Sequence, residues 1–205
     1  MQVILSTRNP SKVEQAKAVF HDSSVSIISL DEAGIKGQAT EDGTTLEENA
    51  TKKAMFVHNQ HKSGIWAIAD DTGIFIDALG GKPGVHTADW NGGNKETIKM
   101  TEWILEQLKN VFDRSATFKT AVVIISPQGA QYLFVGEVRG KILTVTREKT
   151  QPKMPYASIF VPDGSEKTWG EMTVEEENAI SHRGKAFRQA RNFLEQLSEQ
   201  ERRLR

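Results

Sequence analysis

The stretch IWAIADDTGIFID, residues 65–77, constrains the fold most strongly, because two adjacent acids interrupt an otherwise apolar run. Ile65–Ala69 and Ile74–Ile76 have the length and composition of buried strands. Asp70 and Asp71 repel each other, and an unpaired charge in an apolar setting is costly. Something in the folded chain must therefore make this pair tolerable.

Two interpretations of the acid pair follow. An apolar strand that delivers carboxylates into a turn is a common way to hold Mg²⁺, which takes carboxylate and water oxygens and is usually shared with substrate phosphates. Alternatively, Asp70 and Asp71 cap a turn formed with Thr72 and Gly73. The dipeptide alone favours this second, structural interpretation.

The rest of the chain predicts a mixed α/β pattern with a long central strand pair. Strands are predicted at Val3–Leu5 and near Val25–Leu30, and a hairpin at Thr117–Ser126 and Gln131–Val138. Asn9 before Pro10 marks one helix start, and Thr173 and Glu176 have the capping-box spacing that marks another, for a helix at about 174–181. Helices are also predicted at about 45–61 and about 95–109, and over a last segment with Phe187, Ala190, Leu194 and Leu197 on one face. The length of 205 residues suits one domain spanning residues 1–205.

Composition excludes several classes of protein and site. A net charge of −1 argues against nucleic acid or membrane partners, so local donors must hold any anionic ligand. The chain has no cysteine, which excludes disulfides and thiolate metal sites and suits a reducing, cytoplasmic compartment. No segment approaches the roughly 18 apolar residues of a membrane span, and the initial apolar run is too short for a signal peptide.

Two stretches place cations where an anionic ligand would be held. Ser6, Thr7 and Asn9 lie at a strand-to-helix junction, where free backbone N–H groups attract phosphate. Lys12 lies in the first helical turn, where a bound anion would reverse its unfavourable interaction with the helix dipole; a solvated lysine is the alternative. Lys53 falls inside the apolar stripe of the next helix, so it needs a counter-charge or must extend to solvent.

The segment NAISHRGKAFRQA, residues 178–190, holds a third polar group. Ser181, His182 and Arg183 interrupt two helical patterns and can together donate several hydrogen bonds to a base or a phosphate. Capping of a helix C-terminus by His182 is the alternative, and the residues alone leave both open.

Four blocks of the chain together resemble the inosine triphosphate pyrophosphatase family. In chain order they are STRNPSKVEQ, EDGTTLEENATKKA, IADDTGIFIDALGGKPGVHTA and IFVPDGSEKTWGEMTVEEENAISHRGKA. The resemblance covers nearly the whole chain and implies a long twisted mixed β-sheet flanked by helices, with two lobes and a central cleft. It also implies a homodimer that uses Mg²⁺ to hydrolyse ITP, dITP and XTP to the monophosphate and pyrophosphate, which removes deaminated purines from the nucleotide pool.

The resemblance also implies a role for each polar group. Glu41, Asp70 and Asp71 are expected to bind the metal, and one of the two aspartates to position or deprotonate the attacking water. Lys12, Lys53 and the junction at Ser6, Thr7 and Asn9 are expected to neutralise the phosphates. Further substrate contacts are expected from Thr72, Gly73, Met154, Tyr156, Lys167, Ser181, His182 and Arg183, and His182 and Arg183 among these are expected to face the base.

One block departs from the family pattern. Members usually carry G-F-G-Y-D-P-I-F before V-P-D-G, with an aromatic ring stacking on the base and an Asp bonding its edge. This chain has KMPYASIF at residues 153–160, so Met154 replaces the aromatic residue and Ala157 replaces the Asp. Asp89 stands where many members have Arg. A thioether replaces only part of the stacking and Ala supplies no acceptor, so we expect weakened or altered base choice.

Other functions stay open beside hydrolysis of ITP and XTP. The same chemistry with relaxed base specificity is one, and a nucleotide-binding homologue without turnover is another. Mere binding would not require Asp70, Asp71 and Glu41 together, which argues against the second. The related Maf-type pyrophosphatases share the general plan, but the S-H-R and D-D-T-G blocks favour the inosine triphosphate pyrophosphatase family.

Overall fold

The computed structural model describes residues 1–60, 64–88, 90, 97–147 and 154–203. The strands are β1 Gln2–Leu5, β2 Ser26–Ser29, β3 Trp66–Ile76, β4 Lys82–Gly84, β5 Ser115–Ile125, β6 Gln131–Ile142 and β7 Phe160–Pro162. The α-helices are α1 Pro10–Val19, α2 Leu46–Gln60, α3 Thr97–Gln107, α4 Val174–Ile180 and α5 His182–Arg203. The predicted ends of two helices, His61 and Lys95, lie outside the described residues.

All seven strands belong to one mixed sheet with the order β2-β1-β3-β5-β6-β7, and β4 pairs with β3 beside this path. β1 is parallel to both β2 and β3, with Val3 opposite Ile27 on one side and Trp66 on the other. β4 is antiparallel to β3, and β7 is antiparallel to β6. The predicted mixed α/β sheet flanked by helices is confirmed.

The chain forms two compact units. The first comprises Met1–Asp71, Thr120–Gly136 and Asn178–Arg205, and the second comprises Thr72–Lys119 and Glu137–Glu177. Each unit has its own apolar core: the first is built around residues such as Leu5, Ile68, Val122, Phe187 and Leu194, and the second around residues such as Ile74, Ile104, Phe118, Ile159 and Phe160. The prediction of one functional domain over residues 1–205 stays a prediction.

The predicted capping signals form the helix starts. Asn9 is the N-cap of α1, its side chain accepts the N–H of Ser11, and a proline begins the helix. Before α4, the Thr173 hydroxyl accepts the N–H of Glu176 at 3.2 Å, and the Glu176 carboxylate accepts the N–H of Thr173 at 2.9 Å. These reciprocal bonds are the predicted capping box, because they satisfy N–H groups that a helix start otherwise leaves without acceptors.

The two strands predicted at Ile65–Ala69 and Ile74–Ile76 are one strand, β3. Asp70 and Asp71 lie inside this strand, so the interpretation that they cap a turn is wrong. β1 pairs with residues 66–68 of β3, β4 pairs with residues 74–76, and β5 lies beside β3 in the sheet, so strand pairing extends β3 through the two acids. Within the described residues, no helix has the length and apolar character needed to cross a membrane.

Candidate active site

Six ionisable side chains of the first unit approach one another through a network of contacts, and we call them the ion cluster. Its members are the three cations Lys12, Lys53 and Arg183 and the three acids Glu41, Asp70 and Asp71. Helices α1, α2 and α5 supply one cation each, β3 supplies the two aspartates, and the segment before α2 supplies Glu41. Lys12 and Lys53, which were predicted to neutralise the phosphates, therefore lie in the same cluster as Glu41, Asp70 and Asp71, which were predicted to bind the metal.

Asp70 is the most deeply buried acid of the ion cluster. Its Oδ2 lies 2.8 Å from Lys12 Nζ and 3.3 Å from Arg183 Nε. Burial alone would raise the pKa of the Asp70 carboxyl, but Lys12, Arg183 and then Lys53 outweigh burial and hold it well below its usual range. Asp70 is therefore ionised at neutral pH.

Asp71 has different partners. Its Oδ1 lies 2.7 Å from Lys53 Nζ, and its Oδ2 accepts a hydrogen bond of 3.3 Å from Asn49 Nδ2. Burial raises the pKa of Asp71, and Glu41 adds to this effect against the opposing pull of Lys53 and Lys12. Asp71 is therefore the acid of the adjacent pair that takes up a proton more readily.

Lys53 joins two carboxylates. Besides Asp71, it contacts Glu41 with an Nζ to Oε2 distance of 2.9 Å. Burial would lower the pKa of Lys53, but Asp71, Asp70 and Glu41 together raise it, so the ammonium group stays charged. Burial would raise the pKa of Glu41, and Lys53 reverses this shift to a net lowering. The prediction that Lys53 points inward to a counter-charge is confirmed, and extension to solvent is wrong.

Only 17% of the Lys12 side chain is exposed and its ammonium group pairs with Asp70, so the alternative of a solvated lysine is wrong. Burial lowers the pKa of Lys12, which Asp70 opposes and the nearby Lys53 and Arg183 reinforce. At the preceding junction, Ser6 is buried and its N–H donates to Ile68 O at 2.8 Å. The Thr7 hydroxyl accepts the N–H of Asn9 at 3.2 Å. Phosphate binding at this junction stays a prediction.

The structure explains how adjacent acids are tolerated in β3. The two carboxylates have separate direct partners. Asp70 is held by Lys12 and Arg183, whereas Asp71 is held by Lys53 and Asn49. Each buried carboxylate is therefore compensated by its own partners. The sequence of residues 65–77 alone does not reveal these partners, because they lie in other parts of the chain.

Two buried amides of the site were not predicted. Gln15 on α1 accepts a hydrogen bond from Arg183 Nη1 through Oε1, and its backbone oxygen accepts one of 3.0 Å from Asn178 Nδ2. Asn49 on α2 contacts Asp71. The signal that would have found them is helical spacing: Gln15 follows Lys12 by three residues, and Asn49 precedes Lys53 by four, so each shares a helix face with a predicted site lysine.

Ser181 and His182 lie beside Arg183 at the junction of α4 and α5. Ser181 Oγ accepts the N–H of Gly184 at 3.0 Å, so it caps the start of α5. His182 is buried, and burial followed by the charge of Arg183 holds the pKa of its imidazole well below the usual value. His182 is therefore neutral at physiological pH. The predicted roles of His182 and Arg183 in facing the base stay predictions.

The remaining predicted substrate residues belong to the second unit. Thr72 and Gly73 continue β3, and Met154 packs against the core of the second unit. Tyr156 is buried in that core, and burial raises the pKa of its hydroxyl. Lys167 Nζ lies 2.7 Å from the Glu176 carboxylate and is thus engaged at the surface. Asp89 and Lys153 lie outside the described residues.

The predicted metal ligands meet only in part. Within the described ranges, no three Asp, Glu or His side chains converge closely enough to hold a metal ion. Glu41 and Asp71, however, both contact the one Nζ of Lys53. Such a pair fits Mg²⁺, which is usually held by one or two carboxylates and completes its shell with water and substrate phosphates. The metal site of Glu41, Asp70 and Asp71 stays a prediction.

Curated relatives resemble the chain over almost its whole length. A "dITP/XTP pyrophosphatase" of Christiangramia forsetii is 38% identical over 195 residues, which cover 95% of this chain and 99% of the relative. Another "dITP/XTP pyrophosphatase", from Caldanaerobacter subterraneus, is 36% identical over 196 residues, covering 95% of this chain and 96% of the relative. These relatives confirm the predicted enzyme class, a nucleoside triphosphate pyrophosphatase.

Solved structures have the same fold. A Ham1 protein of Staphylococcus aureus superposes with a TM-score of 0.80 at 29% identity, covering 95% of this chain and 98% of that one. A HAM1 protein of Coxiella burnetii superposes with a TM-score of 0.82 at 30% identity, with the same coverage of 95% and 98%. The family profile described as the Ham1 family matches residues 3–193. The chain therefore belongs to the Ham1 family, which confirms the resemblance carried by its four sequence blocks.

Proposed function

We propose that the protein hydrolyses dITP, ITP and XTP to the corresponding monophosphate and pyrophosphate in the presence of Mg²⁺. The observation that carries this proposal is the ion cluster, in which three cations and three carboxylates are packed together in the first unit. The names of the curated relatives, dITP/XTP pyrophosphatases, support the choice of substrates.

The charge balance of the ion cluster supports binding of a polyanion together with a divalent cation. Its three positive charges match its three carboxylates, so an incoming triphosphate adds negative charge that these side chains do not offset. Glu41 and Asp71 would hold Mg²⁺, with Asp70 as a predicted third ligand. When bound, the ion offsets phosphate charge and polarises the phosphoryl oxygens.

The side chains of the ion cluster have different roles in the proposed reaction. Lys12 and Lys53 exchange part of their contact with carboxylates for phosphate oxygens and stabilise charge that develops in the transition state. Asp71 accepts a proton from the attacking water. Asp70 stays ionised and fixes Lys12 and Arg183 in place. The water oxygen bonds to the α-phosphorus while the bond from that phosphorus to the α,β-bridging oxygen breaks. Pyrophosphate leaves with the bridging oxygen, and the nucleoside monophosphate remains.

Relaxed base specificity is a second candidate, and Ala157 is the observation that favours it. Its methyl side chain is buried, its N–H donates to Met154 O at 3.1 Å, and its carbonyl accepts the N–H of Gly170 at 2.8 Å. The family's side-chain acceptor is thus missing, and the backbone groups of Ala157 are already bonded. Loss of a polar contact weakens discrimination between bases.

A panel of nucleoside triphosphates with and without Mg²⁺ tests both candidates. Release of monophosphate and pyrophosphate supports the proposal, whereas diphosphate and orthophosphate contradict it, and binding without turnover supports the non-catalytic homologue. We expect Asp71→Asn to abolish pyrophosphate release and Asp22→Asn, a change at an exposed acid outside the ion cluster, to preserve it. A several-hundredfold preference for ITP over GTP would contradict relaxed specificity.

Two accompanying proposals concern assembly and location. We propose a homodimer, which the family resemblance supports and light scattering of the purified protein would test. We also propose a cytoplasmic location, supported by the absence of cysteine from the sequence. Fractionation of cells that express the tagged chain would test the location.

A further inference from the structure

The loop before α2 is fastened to the helix residue by residue. Each of its four residues from 41 to 44 contacts a different residue of α2. The contacts are Glu41 with Lys53 at 2.9 Å, Asp42 with Lys52 at 2.6 Å, the Gly43 N–H with Asn49 Oδ1 at 2.8 Å, and the Thr44 N–H with Glu48 Oε2 at 2.7 Å. The position of the Glu41 carboxylate therefore depends on how α2 holds this loop.

Two of these helix residues continue from the loop to Asp71. Lys53 contacts Asp71 Oδ1 at 2.7 Å, and Asn49 donates to Asp71 Oδ2 at 3.3 Å. Each oxygen of the carboxylate thus has its own donor from α2. Lys53 and Asn49 therefore both connect the loop that carries Glu41 to the acid in β3.

The hydrogen-bond chemistry fixes the orientation of the Asn49 amide. A backbone N–H can only donate, so the atom of Asn49 that faces Gly43 is the oxygen, and its NH₂ group faces Asp71. The fit is close, because a Cβ at position 43 would lie 2.6 Å from Asn49 Oδ1. Asn49 is also buried, so water cannot easily replace either bond.

The two connections differ in what happens when a triphosphate binds. Lys53 carries a charge on a long flexible side chain, and phosphate oxygens compete with Glu41 and Asp71 for its ammonium group. Asn49 is short and neutral, so phosphate does not attract it in this way. Only the Asn49 connection is expected to persist unchanged in the substrate complex.

We propose that Asn49 is a positioning residue that keeps the Asp71 carboxylate aligned with the loop carrying Glu41 while Lys53 turns to the phosphates. This inference rests on the proposed function, which supplies the phosphates and the metal ion. Residues that orient metal-binding carboxylates typically change metal affinity or activity about 10- to 100-fold when replaced. Neither Asn49 nor its bond to Gly43 is needed for substrate contact in this assignment.

The experiment compares Asn49→Ala and Asn49→Asp with matched changes at Asn59, an exposed asparagine on the same helix. Asn49→Asp retains the acceptor for Gly43 but places an oxygen against Asp71, whereas Asn49→Ala removes both bonds. The measurements are kcat and KM for dITP, and Mn²⁺ affinity by electron paramagnetic resonance without nucleotide. We expect kcat and Mn²⁺ affinity each to fall more than fivefold, with KM nearly unchanged, and no change in the Asn59 variants.

A loss smaller than fivefold in either kcat or Mn²⁺ affinity of the folded variants overturns the proposal. A purely structural Asn49 would lower the melting temperature and the folded fraction but leave the Mn²⁺ affinity of folded molecules unchanged. If the Asn49 variants do not fold, Gly43→Ala tests the same contact from the loop, and the same losses are expected. A wild-type protein without pyrophosphate release would refute the proposed function, and Mn²⁺ affinity would then decide on Asn49 alone.

Discussion

Replacing Asp70 by asparagine should leave Lys12, which is mostly buried, and Arg183, which is buried, without the carboxylate that pairs with both. At an effective dielectric constant of about 20, the attraction of Asp70 to Lys12 over 2.8 Å and to Arg183 over 3.3 Å is about 6 and about 5 kcal/mol before desolvation is considered. Removing one partner of a buried ion pair typically costs about 3–5 kcal/mol. We expect Asp70→Asn to lower the free energy of unfolding by this amount.

Urea unfolding at pH 7.5, without metal or nucleotide, measures this loss through circular dichroism and tryptophan fluorescence. Asp42→Asn is the matched control, because Asp42 pairs with Lys52 at the surface and should affect stability little. Inorganic triphosphate should stabilise Asp70→Asn more than the wild type, because Lys12 and Arg183 then bind phosphate without competition from a carboxylate.

The pH dependence provides a further check on Asp70. Its pKa is depressed in the folded protein, so its contribution to stability is present above the ordinary carboxyl pKa of about 3.9 and is lost as pH falls below it. The stability difference between wild type and Asp70→Asn should therefore shrink below about pH 4. A difference under about 1 kcal/mol at pH 7.5 would refute the claim that this ion pair compensates a buried charge.

Three further changes test other parts of the first unit. Burial and Arg183 depress the pKa of His182, so the imidazole takes up a proton on unfolding below about pH 6.5. The free energy of unfolding should therefore fall by up to about 1.4 kcal/mol per pH unit down to pH 5. In urea unfolding, His182→Gln should reduce this pH dependence, and His21→Gln, at an exposed site, should not. Lys53→Met should lower kcat about 100-fold or more with an unchanged circular dichroism spectrum, and near-normal turnover would exclude a role in catalysis. Gly136→Ala should cost about 1–3 kcal/mol in thermal unfolding, because its Cβ would lie 2.1 Å from His182 O, and unchanged stability would contradict this close approach.

Local chemistry made several elements predictable from the sequence. Asn9 and the pair of Thr173 and Glu176 indicate helix starts, because their side chains accept hydrogen bonds from N–H groups within the same turn. The inward direction of Lys53 followed from helical periodicity, which assigns each residue to a face. In each case the atoms that determine the structure lie within a few residues of one another.

The sequence did not predict the features that depend on contacts between residues far apart in the chain. Asp70 and Asp71 look like turn residues locally, but pairing with other strands keeps β3 extended through them. Asn49 and Gln15 resemble ordinary helix residues, and only the folded chain brings them to Asp71 and to Arg183. A single sequence shows which cations and acids are present, but not which of them meet.

The residue-by-residue fastening of residues 41–44 to α2 also limits how this segment can change its length. Surface connections usually accept insertions and deletions readily. Here, one added or lost residue would shift every later member of the segment away from its own helix partner and carry Glu41 away from Lys53. We therefore expect the spacing between Glu41 and α2 to be invariant in chains that retain this set of contacts, even where the side chains facing solvent differ.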